Sequence, residues 1–429
     1  MSEVKGQVLW QALVNLNSYQ PCGGESIMSN LRFSILLAGL GLIIGFNFSC
    51  DRTDIDTRIL NPYQQVDWTA VEHHKAGLHD HTLQSDGYQM VGEVVRTYQK
   101  AGFSILALTD HDAHPPNAQV RWGNVEPEDC THIHPTHLEN YPYNTTWPWT
   151  EFEAPSPEEL GMVGIEGAEL TFKHHMNSFF SDYNATSDDI SEHEQIRAVK
   201  ESGGLVFVNH PGLDAGWWTR KPLEWYIEHF EEHSPDVLIG MEVTNQAQER
   251  ETYDEGLWDQ LLVRFMPDRP IWGFGTQDMH NLASVQQSQT FFLLDELSKE
   301  AVREAMKRGQ FYFTKSTRRY DLRQGKDDMD IFPSIERIEV DESAGTITVH
   351  ASDFDEIKWI STPHTLEPVD DYLTSHQPWA LGNVVHDGPT LNFRQIPDVG
   401  NYVRLELHRF DDDHIHRTFT NPFGIITAD

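Results

Sequence analysis

The sequence predicts an α/β fold: a distorted (β/α) barrel followed by a small all-β, sandwich-like domain. Three observations carry this. From about Trp68 to Thr317 short apolar runs alternate with stretches of helical spacing, the pattern of βαβ units around a parallel sheet. Histidines and carboxylates recur directly after those runs, starting with His79-Asp80-His81 and Asp110-His111-Asp112. Beyond about Asp327 the helical period stops, and apolar and polar residues alternate between Pro, Gly and Asp turns.

Taken in order, Ala76-Gly77-Leu78 leads into His79, and Met90, Val91, Val94, Val95 and Tyr98 share one helix face that Gly102 ends. Ser104–Thr109 reads as a buried strand delivering Asp110 and His111. A long irregular segment, about Pro115 to Pro157, follows; its Trp147 and Trp149 either line a site or pack the loop down. Met162–Glu166 and Ala168–Leu170 are further strands, and a helix over about Ser191–Ser202 stops at Gly203-Gly204. Leu205–Val208 delivers Asn209-His210, while Val237–Val243 and Ile271–Gly275 are strand candidates, the last running into Asp278-Met279-His280. A closing helix has Ser298 as N-cap, a Leu297–Val302 staple and Gly309 as its stop. In the region 327–429, Ile338–Val340, Thr346–His350, Ile357–Ile360 and Tyr402–His408 read as strands, and His350, His364, His414 and His416 as surface residues.

Composition narrows the partners. Of 429 residues, 31 are Lys or Arg and 67 are Asp or Glu, a formal charge of −36. Such a surface repels phosphate backbones, which excludes extended nucleic-acid binding. Cys22, Cys50 and Cys130 are too few and scattered for a disulfide framework or a Cys-rich zinc site. The apolar stretch Leu31–Phe46, with Met28 ahead of it and Asn47-Phe48-Ser49-Cys50 at its end, resembles a bacterial lipoprotein signal. The expected organisation is a leader over 1–50 (signal-like over 28–50), a polar tether over 51–67, a barrel over 68–318 and a β domain over 327–429. On this reading the chain is exported to the periplasm or outer surface, with a lipid anchor at Cys50.

The chemistry lies in residues that reach strand ends: His79, His81, Asp86, Asp110, His111, Glu166, Glu169, His174, His175, His210, Asp278 and His280. Parallel α/β folds build sites at the carboxyl ends of their strands. Imidazoles and carboxylates without thiolates suit Zn, Mn or Fe. These segments resemble the ordered motifs of the PHP (polymerase and histidinol phosphatase) domain. They are His79-x-His81 with Ser85-Asp86-Gly87, Leu108–Asp112, Gly167-Ala-Glu169, His175-Met-Asn177, Asn209-His210-Pro211 and Asp278-Met-His280, spanning about 70–318.

The resemblance implies a distorted seven-stranded barrel with two or three divalent metals. Carried over by position, His79, His81 and Asp278 hold the first metal, and Glu169 bridges it to a second completed by His175 and His210. Asp86, His111 and His280 hold the third; many relatives have histidine where Asp86 stands. Glu166 competes with Glu169 and His174 with His175. The Gly-x-Glu context and Asn177 favour Glu169 and His175.

Charge points to the substrate. Three divalent ions against Asp86, Glu169 and Asp278 leave roughly +3, which suits a small phosphorylated substrate. The expected activity is phosphomonoester or phosphodiester hydrolysis by a metal-bridged hydroxide, outside the cytoplasm. Asp110 and Asp112 either orient the His111 imidazole or, for Asp110, cap its turn. Arg220 and Lys221 are the basic candidates for the substrate phosphate, with Trp217 and Trp218 beside them. Glu242 lies near a strand end outside the ligand set. The alternatives are amidohydrolase-like cleavage of a C–N or C–O bond on the same metals, or a surface-anchored binding protein without catalysis.

Overall fold

Strand and helix signals emerge where the periodicity places them, but the sheets are joined differently. The computed structural model describes residues 57–112, 145–171, 173–183, 189–213, 220–245, 251–324, 331–375, 377–411 and 413–427. The leader with Cys50, the tryptophans at 217 and 218, and most of the 115–157 segment lie outside them. Among the described residues no helix is long and apolar enough to cross a membrane. Asp56–Asp429 forms one compact unit.

The elements begin with β1 (Thr57–Leu60), β2 (Glu72–Gly77), α1 (Val91–Lys100), β3 (Ile105–Ala107), a one-turn α2 (Pro157–Leu160) and β4 (Val163–Ile165). Next come β5 (Gly167–Leu170), β6 (Met176–Phe179), α3 (Glu192–Glu201), β7 (Leu205–Val208), α4 (Leu223–Glu232) and β8 (Leu238–Thr244). They continue with α5 (Glu251–Phe265), β9 (Trp272–Gly275), β10 (Val285–Leu294), α6 (Lys299–Arg308) and β11 (Phe311–Tyr320). Local chemistry explains the boundaries. Val91, Val94, Val95 and Tyr98 are the buried face of α1. Capping boxes Ser156/Glu159 and Ser191/Glu194 open α2 and α3. The Ser298 side chain caps α6, and Gly309 closes it at φ 71°, where a Cβ would also strike the Trp272 ring.

The expected seven-stranded barrel does not close as a hydrogen-bonded ring. β2, β3 and β4 are parallel neighbours within an 11-stranded sheet, and β5-β6-β7-β8-β9 forms a separate 5-stranded sheet. Two isolated bridges connect the strand ends, Asp80 with Met279 and His111 with Glu169. β6 runs antiparallel to both β5 and β7, against the expected parallel order. The reason is reach: only residues 171–175 join β5 to β6, too few for a crossover. The free edge of β2 is taken by the long antiparallel β10.

Behind this core lie β12 (Ser334–Asp341), β13 (Thr346–Ser352), β14 (Glu356–Ser361), β15 (Asn383–His386) and β16 (Thr390–Asn392). The chain ends with β17 (Tyr402–Asp411), β18 (His414–Thr420) and β19 (Phe423–Thr427). The boundary expected near 318–327 does not interrupt the sheet, because β18 pairs with β11 and β17 pairs with β18. The 3-stranded sheet β12-β13-β16 packs over it, burying Ile335, Ile347 and Leu391 against Trp359, Leu405 and Phe291. Part of the expected polar tether is structural: β1 pairs with β19, and buried Tyr63 donates to the Phe311 carbonyl at 3.0 Å. His416 is fully buried against Phe332 rather than on the surface, whereas His364 is exposed.

α5 is bound to this sheet by buried charge. Asp259 accepts two hydrogen bonds from Arg404, each 2.9 Å, plus one from Tyr402 Oη at 2.9 Å and one from Gly382 N at 2.7 Å. Glu406 pairs with Arg404 and Arg417, and Arg417 also forms a bidentate pair with Glu255 of α5.

Candidate metal centre

The strand ends converge on a buried cluster of imidazoles and carboxylates with Glu169 at its middle. Glu169, on β5, is 1% exposed. Its Oε1 lies 3.3 Å from His79 Nε2, 2.9 Å from His175 Nδ1 and 3.1 Å from His210 Nε2. Its Oε2 lies 3.5 Å from His81 Nε2 and 3.0 Å from His111 Nδ1. Asp278 Oδ1 faces His79 Nε2 at 3.5 Å, His81 Nε2 at 3.2 Å and His280 Nδ1 at 3.4 Å. Asp86 Oδ2 lies 3.3 Å from both His111 Nε2 and His280 Nε2. All the expected ligand residues therefore meet in one place.

These distances test whether metal ions fit. Ligand bonds of about 2.0–2.2 Å at tetrahedral angles imply ligand-to-ligand edges of about 3.3–3.6 Å. The His79, His81, Glu169 and Asp278 contacts, 3.2 to 3.5 Å, match that spacing better than hydrogen bonding. Nε2 of His79, both ring nitrogens of His81 and Oε2 of Glu169 are buried without a hydrogen-bond partner. Buried polar atoms in that state need a partner, and a shared cation supplies one. The donor set fits divalent transition metals.

The grouping departs from the expected one at His111. It faces Asp86 through Nε2 and Glu169 through Nδ1, so it stands between two ligand groups rather than in the third alone. Groups with donor atoms within 4.8 Å are His81/Asp86/His111/His280, His79/His81/Glu169, His79/His210/Asp278 and His111/Glu169/His175.

Electrostatics follows from this crowding. Burial opposes charge on Glu169, yet His79, His175 and His111 hold it well below the usual carboxylate range. Burial likewise opposes protonation of His79, but Glu169, Glu242 and Asp278 push it well above an ordinary imidazole. His280, half-buried, is raised to about 9 by Asp86 and Asp278 against the opposing effect of its burial. His175 goes the other way, to about 4, chiefly through burial. Without metal the carboxylates draw protons onto imidazoles, and ions binding there would displace them.

Backbone strain accompanies the ligands. His210 has φ 23° and Asp278 φ 44°, unusual for residues with a Cβ. A Glu242 contact fixes the first: His210 N donates to Oε2 at 2.6 Å. The bridge between Asp80 and Met279 secures the second strand end.

No protein-family model matches the sequence, and no curated protein is similar to it. Among solved structures, the chain is similar to a two-domain Bacteroides vulgatus protein containing a predicted PHP-like metal-dependent phosphoesterase. The identity is 18% and the TM-score 0.44, over 85% of this chain and 96% of that one. It is similar also to a Bifidobacterium adolescentis protein named as a putative metal-dependent phosphoesterase, at 18% identity and TM-score 0.32, covering 54% of this chain and 96% of the other. A third is an amidohydrolase from Chromobacterium violaceum with bound sulfate, at 13% identity and TM-score 0.29, covering 48% and 87%.

The competing candidates separate in the fold. Glu166 pairs with Lys299 away from the cluster, and His174 packs edge-on against Trp225 and Tyr226. Asp110 does not orient His111. Its oxygens accept from Thr82 N, Thr82 Oγ1, Ser85 Oγ and Thr146 Oγ1, each at 2.7 Å, which fixes the turn carrying His81 and Asp86. Asp112 accepts from Thr171 N and Oγ1, joining the β3 end to the β5 end. Arg220 was expected at the substrate phosphate. Its guanidinium instead donates to the carbonyls of Gly212, Tyr372 and Ser375 and lies over Tyr253, bracing the loop after His210. Lys221 faces Glu192 and Trp225. Trp149 is buried among Val91, Val95 and Phe152, so it packs its loop down.

Glu242 is the residue that sequence reasoning left out. It is fully buried on β8 and accepts from His79 Nδ1 at 2.6 Å, Thr276 Oγ1 at 2.6 Å and Asn245 Nδ2 at 2.7 Å. The Nδ1 proton given to Glu242 leaves the His79 Nε2 lone pair facing the cluster. The available signal was a carboxylate inside the apolar run Leu238–Thr244, since a charge on a fully buried strand requires a partner. Glu242→Gln is expected to weaken metal affinity about 10–100-fold, the usual effect of losing such an orienting group. Competitive titration with a zinc chelator checks this; unchanged affinity would remove the role.

Proposed function

We propose that the chain is a metal-dependent phosphoesterase working at a di- or trinuclear centre. The observation that carries the reading is Glu169, a buried carboxylate whose partners are His79, His81, His111, His175, His210 and Asn209, with no Lys or Arg among them. Sidechains of His79, His81, Glu169 and Asp278 would hold one ion, with His175, His210, Asp86, His111 and His280 holding the others. The strand ends then correspond to those of a distorted PHP-type barrel.

Divalent ions bound there would supply positive charge for phosphoryl oxygens and acidify water toward a pKa of ~7. The protein's own groups prepare the centre. Glu242 selects the His79 tautomer, and Asn209 Nδ2 donates to Glu169 Oε1 at 2.8 Å, fixing that carboxylate. Asn177 Nδ2 donates to the Leu78 carbonyl and ties β6 to the His79 strand end. Counting buried Glu242, three divalent ions leave roughly +2, still a field suited to a phosphate dianion and largely unused by a neutral amide. Export, with a lipid at Cys50, belongs to the same reading and rests on residues 28–50. Recovery of the uncleaved chain in the cytoplasm would remove that part.

The test is turnover of p-nitrophenyl phosphate and bis-p-nitrophenyl phosphate by metal-loaded full-length protein, alongside amide and ester panels. Phosphoester turnover that chelation lowers by at least about 10²-fold is expected. Amide turnover without phosphoester turnover, with metals bound, would replace this reading with the amidohydrolase-like one.

A further inference from the structure

Outside the central cluster, one other group among the described residues brings metal-binding atoms together: His193 on α3, with Glu232 and His233 at the end of α4. His193 Nδ1 lies 2.9 Å from His233 Nε2 and 3.6 Å from Glu232 Oε2. We propose that His193, Glu232 and His233 form a second metal site, taking a divalent ion of the zinc class and clipping α3 to α4.

The geometry of the three side chains argues for an ion. Two neutral imidazoles 2.9 Å apart share one proton in a hydrogen bond, and an ion would take that proton's place once the rings part by the few tenths of an ångström that ligand edges of about 3.3–3.6 Å require. Two nitrogens and one carboxylate form the three-protein-ligand set that zinc completes with water; magnesium and calcium prefer oxygen alone. His233 is 7% exposed and its backbone is fixed on both sides: its N donates to the His229 carbonyl, and its carbonyl accepts from Arg269.

A second observation comes from His229, one turn before His233. The His229 ring is 3% exposed and sandwiched between Trp225, at 3.9 Å between centroids, and His193, at 4.0 Å with an interplanar angle of 9°. Its Nδ1 donates to the Trp225 carbonyl at 2.7 Å, so Nε2 carries a lone pair. That Nε2 is buried without a hydrogen-bond partner beside the triad, where a cation would satisfy it electrostatically. The stack also holds the His193 ring in one orientation.

Charges around the triad act in both directions. Glu228 Oε1 approaches His193 Nε2 at 3.9 Å, which favours a cation. Arg197 opposes one and occupies Glu232 Oε1 at 2.8 Å, leaving Oε2 for the ion. With one carboxylate against three at the central cluster, this site binds more weakly than the centre.

The experiment titrates metal-free full-length protein with Zn²⁺ against a chromophoric chelator, and with Co²⁺ to read coordination from its visible spectrum. Wild type is expected to bind one equivalent more than His193→Ala or His233→Ala, with phosphoester turnover unchanged in both. The stoichiometry stands whatever the substrate of the central cluster. Equal stoichiometry in wild type and both variants would overturn the site. Should an alanine variant also lose the central equivalents, it has misfolded, and Glu232→Gln decides, since that side chain is 44% exposed and its replacement spares the core. A fall of about tenfold in affinity for the last equivalent is expected in Glu232→Gln, and unchanged affinity would overturn the site.

Discussion

Glu169→Gln is expected to lower phosphoester turnover by about 10³–10⁴-fold and to reduce the number of tightly bound metals. The magnitude follows from what the residue does. Its two oxygens face His79, His175 and His210 on one side and His81 and His111 on the other, so five imidazoles meet on this carboxylate. Metal stabilisation of transition-state charge is worth several kcal/mol, and about 4–5 kcal/mol converts to that loss of rate. Gln keeps the shape and an oxygen for the Asn209 amide, so the fold should survive. Steady-state kinetics with elemental analysis of the purified variant is the measurement. Turnover within tenfold of wild type, with metals retained, would show that Glu169 does not bridge.

Asp259→Ala carries the largest expected effect on stability, a loss of about 3–5 kcal/mol, because it leaves Arg404 charged and buried without its bidentate partner. Arg404 is 1% exposed and Asp259 fully buried, so water cannot replace the lost contacts. The change also removes acceptors for Tyr402 and Gly382, which join α5 to the C-terminal strands. A lowered urea midpoint in equilibrium unfolding is expected, with Asp259→Asn falling between alanine and wild type. A shift under about 0.5 kcal/mol for alanine would mean that the Arg404–Glu406 pair suffices.

Much of this was readable in the chain. Short apolar runs leading to His or Asp marked β3, β7, β9 and the end of β2, because a buried strand is mostly apolar while its end faces the site; the polar start Glu72–Lys75 of β2 carried no such signal. The cap at Ser298 marked a helix start, since it satisfies a backbone donor within one turn. α4 and α5 were less legible. The α4 sequence Leu223–Glu232 mixes Trp, Tyr, Phe and four glutamates, and its buried residues include His229. Arg220 misled because a cation after a strand end looks the same whether it meets phosphate or, as here, backbone carbonyls.

By itself the sequence determined which donor residues arrive at strand ends, because strand periodicity and turn chemistry are local properties. Only the tertiary structure decided their partners. Glu242 meets His79 across 163 residues, and Asp278 meets His81 across the gap between two sheets. It likewise decided that β18 extends the sheet of β11, and that β6 runs antiparallel to β5 and β7. The physical reason is common to all of these. Pairing of buried charges and of strand edges is settled by which groups lose water together, and that depends on packing between segments far apart in the chain.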